Sequence, residues 1–145
     1  MKRQGYSLNK LMLGVFVLAA LCTSHAQYDG PIVNVSIPFN FNIGAQRFVA
    51  GDYSFKPLLP HTITLQTRRG HGLTNASSIS VISRDAPNAT TVVFNRYLDR
   101  YFLSEIWVQG NNDGQAFIKS PVEKELAKEL AVPPIQVALN VGFNH

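Results

Sequence analysis

The segment FNRYLDRYFLSEIW, Phe94–Trp107, decides the fold. Its fourteen positions hold five aromatic residues, two arginines, one aspartate and one glutamate. With TVV before it and VQ after it, the segment reads as two strands joined by a turn at Leu98-Asp99-Arg100, the clearest hairpin in the chain. On the second strand Tyr101, Leu103, Glu105 and Trp107 alternate with Phe102, Ser104, Ile106 and Val108. Both sets are apolar enough to require cover, so this strand is expected in the middle of a sheet.

Register decides what the charges do. A two-residue loop at Leu98-Asp99 sets Arg96 opposite Tyr101 and Phe94 opposite Leu103, which leaves Arg96 and Glu105 on one face. A three-residue loop at Leu98–Arg100 separates them across the sheet. In the structural interpretation Arg96 and Glu105 form a buried ion pair, because a carboxylate among bulky side chains is costly alone, and Asp99 sits in the turn. The catalytic interpretation makes Glu105 a general acid and Asp99 its partner in a glycan-active hydrolase. If the hairpin charges are free, Arg96, Arg100, Tyr101 and Trp107 are its binding candidates.

Outward from the hairpin the chain is mostly strand. IVNVSIPFNF (Ile32–Phe41) alternates, with Val33, Val35, Ile37, Phe39 and Phe41 on one face. Pro38 cannot donate to a ladder, so this strand is expected at an edge or bulged. FVAGDYSFKP (Phe48–Pro57) resembles a tyrosine corner, in which Tyr53 bonds back to upstream backbone and Gly51 permits the tight turn. His61–Arg69 and the weaker LTNASSISVIS are further strands, and Gly110–Gln115 reads as a loop. SPVEKELAKELA is the single helix signal: Ser120 at the N-cap, Pro121 first, and Glu123 third, a capping box. Its apolar stripe is Val122, Leu126 and Leu130. The alternation of Ile135, Val137, Leu139, Val141 and Phe143 predicts a closing strand.

The N-terminal residues bear on compartment. Lys2, Arg3 and Lys10 precede an apolar run, Leu11–Leu21, and small residues Ser24 and Ala26. That is the layout of a secretory signal, with the cut expected after Ala26. The run is shorter than the ~20 residues a spanning helix needs. Residues 1–26 are thus predicted to be removed and residues 27–145 to form one β-rich domain with a helix near 121–131. The only cysteine, Cys22, leaves with the signal, so the remaining domain must rely on its core. Three of the thirteen basic residues also leave, and the formal charge falls from +4 to +1. A basic surface for nucleic acid is therefore not expected.

No GxSxG, HExxH, P-loop or dinucleotide fingerprint is present. His61 and His71 flank a strand without a carboxylate or thiol beside them in sequence, so no metal and no cofactor is expected.

Together the signal, the VNVSIPFNF strand, the AGDY turn, the FNRYLDRYFLSEIW hairpin and the KSPVEKELA helix resemble a group of small secreted proteins of soil-dwelling bacteria. The resemblance implies an exported bacterial protein and carries no activity or catalytic residues. The expected fold is mainly β: a single-domain antiparallel sandwich or flattened barrel of six to eight strands with one short C-terminal helix. The expected role is a non-enzymatic exported protein, periplasmic or extracellular, binding an envelope component or protein partner. The alternatives are the glycan-active hydrolase, a small outer-membrane barrel, and an assembly subunit pairing through its edge strand.

Overall fold

The computed structural model describes residues 29–141, so the predicted signal segment 1–26 lies outside the described residues, as does Phe143. In chain order the elements are β1 (Val33–Ile37), β2 (Phe41–Ile43), β3 (Gln46–Phe48), β4 (Gly51–Leu59), β5 (Thr62–Thr67) and β6 (Gly72–Ile82). Then follow β7 (Thr91–Tyr97), β8 (Arg100–Trp107), β9 (Asp113–Phe117), the helix α1 (Pro121–Leu130) and β10 (Ile135–Asn140).

The strands form two layers that share one long strand. β1, β4, β5 and the first half of β6 make one layer by antiparallel pairing. From Ser78 onward β6 leaves β5 and pairs with β9, and the second layer continues through β8 and β7 to β10. The β2–β3 hairpin joins this second layer through β8, where Phe41 and Asn42 run parallel to Tyr101 and Phe102. The result is a sandwich made from a folded-over sheet that does not close into a barrel.

Among the described residues ten strands are present rather than six to eight. Pro38 splits the first predicted strand, since it lacks the N–H that a continuous ladder needs. β1 therefore stops at Ile37 and a new strand begins at Phe41. Asp113–Gln115, expected in a loop, lie in β9. Pairing to β6 on one side and β8 on the other outweighs their weak strand propensity.

The two layers meet in one core. Val33, Val35 and Ile37 of β1, Tyr53 and Phe55 of β4, and Ile63 and Leu65 of β5 face Phe41 of β2, Phe94 of β7, and Leu103 and Ile106 of β8. At its centre Phe41 meets Tyr53 edge-on with ring centroids 5.2 Å apart and Phe94 at 5.6 Å. Tyr53 also closes the predicted corner: its hydroxyl donates to the Val49 carbonyl at 2.7 Å. Gly51 is not needed for that turn. Its φ is not positive, and an added Cβ would meet the Tyr53 ring at an ordinary 3.5 Å.

The hairpin has the two-residue loop, with Leu98 at a positive φ of 56°. Arg96 stands opposite Tyr101 and Phe94 opposite Leu103. One step further Val93 pairs with Glu105, which leaves Ser104 without an opposite residue. This bulge reverses the alternation. Ile106 turns inward after Leu103, while Glu105 and Trp107 turn outward, away from Arg96. The expected Arg96–Glu105 ion pair does not exist.

Helix α1 starts as predicted, with Ser120 Oγ accepting from the Glu123 N–H at 3.1 Å. Two expectations for it fail. The Glu123 side chain does not return to the cap but is buried toward β7, and the inward face is Glu123, Leu126, Ala127 and Leu130, with Val122 exposed. That face follows the i, i+3, i+4, i+7 spacing of a helix lying on a sheet.

Candidate functional site

The hairpin residues do not converge. Arg96 lies over the Tyr101 ring at 5.7 Å and donates from Nε to the Leu98 carbonyl at 2.8 Å. Tyr101 in turn stacks on Phe39, with centroids 3.8 Å apart. Arg100 is on the opposite face, 5.4 Å above the Phe102 ring. Trp107 is at the far end of the strand, flat on Gly114 of β9, where a Cβ would come within 2.6 Å of its ring. Its indole Nε1 donates to Glu105 Oε2 at 2.7 Å.

Glu105 and Asp99 are also apart. Asp99 is in the turn and Glu105 is six residues along the strand, roughly 20 Å at the rise of a β-strand. A pair of glycosidase carboxylates must stand within about 10 Å. Because neither Glu105 nor Arg96 is paired with the other, Glu105→Gln and Arg96→Gln are each expected to change stability by less than about 1 kcal/mol. Urea unfolding of the two variants checks this, and a loss of several kcal/mol in either would contradict the observed register.

The buried carboxylate is Glu123, only 3% exposed. Its Oε1 accepts from Asn95 Nδ2 at 3.0 Å and from the Tyr97 hydroxyl at 3.2 Å. Asn95 and Tyr97 face the same way on β7 because they are two residues apart, and the cap at Ser120 places Glu123 in the first turn of α1 above them. Both β7 residues are themselves buried. Sequence inspection missed this constellation. Its one signal was Asn95, a polar residue inside the apolar run VVFNRY, which needed a partner from somewhere.

The Tyr97 hydroxyl is pushed up to about 12 by burial, by the negative charge of Glu123 and by the hydrogen bond it donates there. In the unfolded chain a tyrosine ionises near pH 10. The folded state thus retains a proton that the unfolded state releases, so this contribution is complete below pH 10 and is lost as pH rises toward 12. The loss is on the order of 2 kcal/mol. Burial shifts Tyr53 in the same direction. Melting curves between pH 9 and 12 should fall more steeply for the wild type than for Tyr97→Phe.

A separate concavity lies elsewhere, at the open side of the sandwich. Among the described residues β1 pairs only with β4, and β10 pairs only with β7. A groove of about 490 Å³ runs along the free edge of β1 and is bounded on the other side by Asn140 and Val141 at the end of β10. Val33, Val35 and Val108 are in its lining. A hydrogen bond from Val141 N–H to the Thr90 carbonyl, 2.8 Å, holds the β10 end in place. Arg68 and Asp52 approach to 3.7 Å in solvent, with Arg68 on the lip of the groove. A pair this exposed adds little energy.

Neither edge strand carries a charge or a proline: β1 is VNVSI and β10 is IQVALN. Natural edge strands are commonly blunted by lysine, proline or bulges. Here nothing of that kind prevents a further strand from pairing.

Among the described residues no three His, Cys, Asp or Glu side chains gather to hold a metal ion, and no helix is long and apolar enough to cross a membrane. The structure therefore defines a class, a β-sandwich open along one side with a helix locked onto the outer face of one layer. No protein-family model, curated protein or solved structure matches the chain.

Proposed function

We propose that this is an exported, non-enzymatic binding protein that takes an extended segment of a protein partner at the open side between β1 and β10. The observation that carries this is the pair of uncharged edge strands bordering one groove. An added strand gains affinity from main-chain hydrogen bonds to a free edge and specificity from alternate side chains entering the groove. Export rests on the basic start, apolar run and small residues of positions 1–26, and on the resemblance to secreted proteins of soil-dwelling bacteria.

The test is selection of short peptides from a random library against the purified protein, followed by amide exchange of the complexes. Bound peptides should alternate apolar and polar residues and protect β1 and the Asn140 amide. Ser36→Lys with Ala138→Lys, both at exposed positions, should weaken binding at least tenfold without lowering Tm. Peptides without alternation, or protection confined to the hairpin tip, would overturn the reading. An assembly subunit would use the same edge with another copy, and concentration-dependent sedimentation of the protein alone would identify that case.

A further inference from the structure

β8 divides one of its edges between two partners. β2 occupies it at Tyr101 and Phe102, and β9 takes over from Glu105. Between them lie Leu103 and Ser104, with the bulge at Ser104. A pocket of about 180 Å³ opens at this gap, walled by Asn42 and Ile43 of β2, Ala76 of β6, Phe102 of β8, Phe117 of β9 and Glu123 of α1.

Glu123 gives this pocket its chemistry. Oε1 takes both protein donors, Asn95 and Tyr97. Oε2 accepts from no described residue, yet no buried side-chain oxygen or nitrogen lacks a partner. Oε2 is therefore the oxygen that retains access, and the space beside it is the pocket that Glu123 lines. Asn42 donates from Nδ2 to the Tyr101 carbonyl at 3.0 Å, which leaves its Oδ1 as a second acceptor in the lining. No lysine, arginine or histidine is among the lining residues.

We propose that this pocket binds a small organic cation, with an ammonium group on Glu123 Oε2 and Asn42 Oδ1 and a short apolar body against Phe102 and Phe117. On a residue only 3% exposed, a carboxylate oxygen that opens into a narrow pocket is held best where a cation or hydrogen-bond donors complete its shell. The protein supplies donors to one oxygen only. An anion would be repelled, and a neutral apolar molecule would displace the water that Oε2 can reach without replacing its hydrogen bonds. The volume is below that of sites for drug-sized ligands, about 300–1,000 Å³, and restricts the body to a short chain or one ring. The inference is independent of the edge-strand proposal, since the two sites share no lining residue.

Benzylamine, benzyl alcohol and benzoate are the probes, titrated near neutral pH into isotopically labelled protein and followed by amide chemical shifts. Benzylamine should bind saturably at millimolar concentration, at least tenfold more tightly than benzyl alcohol, with shifts centred on Asn42, Ala76, Phe102 and Phe117. Benzoate should not bind. Glu123→Gln retains an oxygen for Asn95 and Tyr97 and should reduce benzylamine affinity at least tenfold, to the level of the alcohol. If that variant does not fold, the wild-type comparison of amine with alcohol decides alone. Equal affinity for amine and alcohol, shifts centred elsewhere, or no saturation would each overturn the proposal.

Discussion

Glu123→Ala is expected to lower the unfolding free energy by about 3 kcal/mol, because it leaves two buried donors without an acceptor. Asn95 Nδ2 and the Tyr97 hydroxyl both point at Glu123 Oε1, and Asn95 and Tyr97 are 5% and 2% exposed, so both donors lie away from bulk water. Glu123→Gln keeps one acceptor of similar shape and removes a buried charge, so it should cost less than about 1 kcal/mol. The contrast between the two variants is the informative quantity. Equal losses would mean that the charge, rather than the hydrogen bonds, holds α1 on the sheet. Urea unfolding measures both, and loss of helical signal ahead of the sheet would show α1 leaving first.

Phe41→Ala should cost more, about 3–5 kcal/mol, the usual penalty for truncating a fully buried aromatic. Phe41 is 0% exposed and its ring stands against Phe48, Tyr53 and Phe94, at 5.5, 5.2 and 5.6 Å. It ties the β2–β3 hairpin, the β1–β4–β5 layer and the β7–β8 layer together. The stacked contact with Phe48 and the edge-to-face contacts with Tyr53 and Phe94 add to the area term. The three-residue strand β2 is joined to β8 through only Phe41 and Asn42, so little else would retain it. A loss of this size is a large share of the total stability of a small domain, roughly 5–15 kcal/mol. Thermal and urea unfolding against wild type check it, and a loss below 1 kcal/mol would mean that this centre is not packed as described.

Much of the architecture was legible because it depends on local period. Alternation in Ile32–Phe41 identified which side chains enter the core, and Pro38 identified an edge or a break. Ser120, Pro121 and Glu123 located the start of the helix to the residue. Each of these signals acts through backbone geometry within a few positions. The Tyr53 hydroxyl bond to Val49 belongs to the same local class, spanning four residues.

The misread features depend on groups far apart in the chain. The bulge at Ser104 has no signature in SEIW itself. It exists because Leu103 and Ile106 both reach the core only if one residue is left unpaired, and its consequence is that Arg96 and Glu105 face opposite ways. Glu123 looked like a capping residue because capping is local. Its true partners, Asn95 and Tyr97, are 28 and 26 residues away, and only the docking of α1 against β7 brings them together.

The amino-acid sequence by itself determined a mainly β chain, its central hairpin, its edge strand and its capped helix, since each follows from side-chain period and backbone chemistry over a few residues. Tertiary structure alone decided which carboxylate is buried, where β8 bulges, and that β1 and the end of β10, more than a hundred residues apart, border one open groove. Those outcomes rest on long-range packing, where a one-residue shift reverses the face a side chain occupies and no local pattern records it.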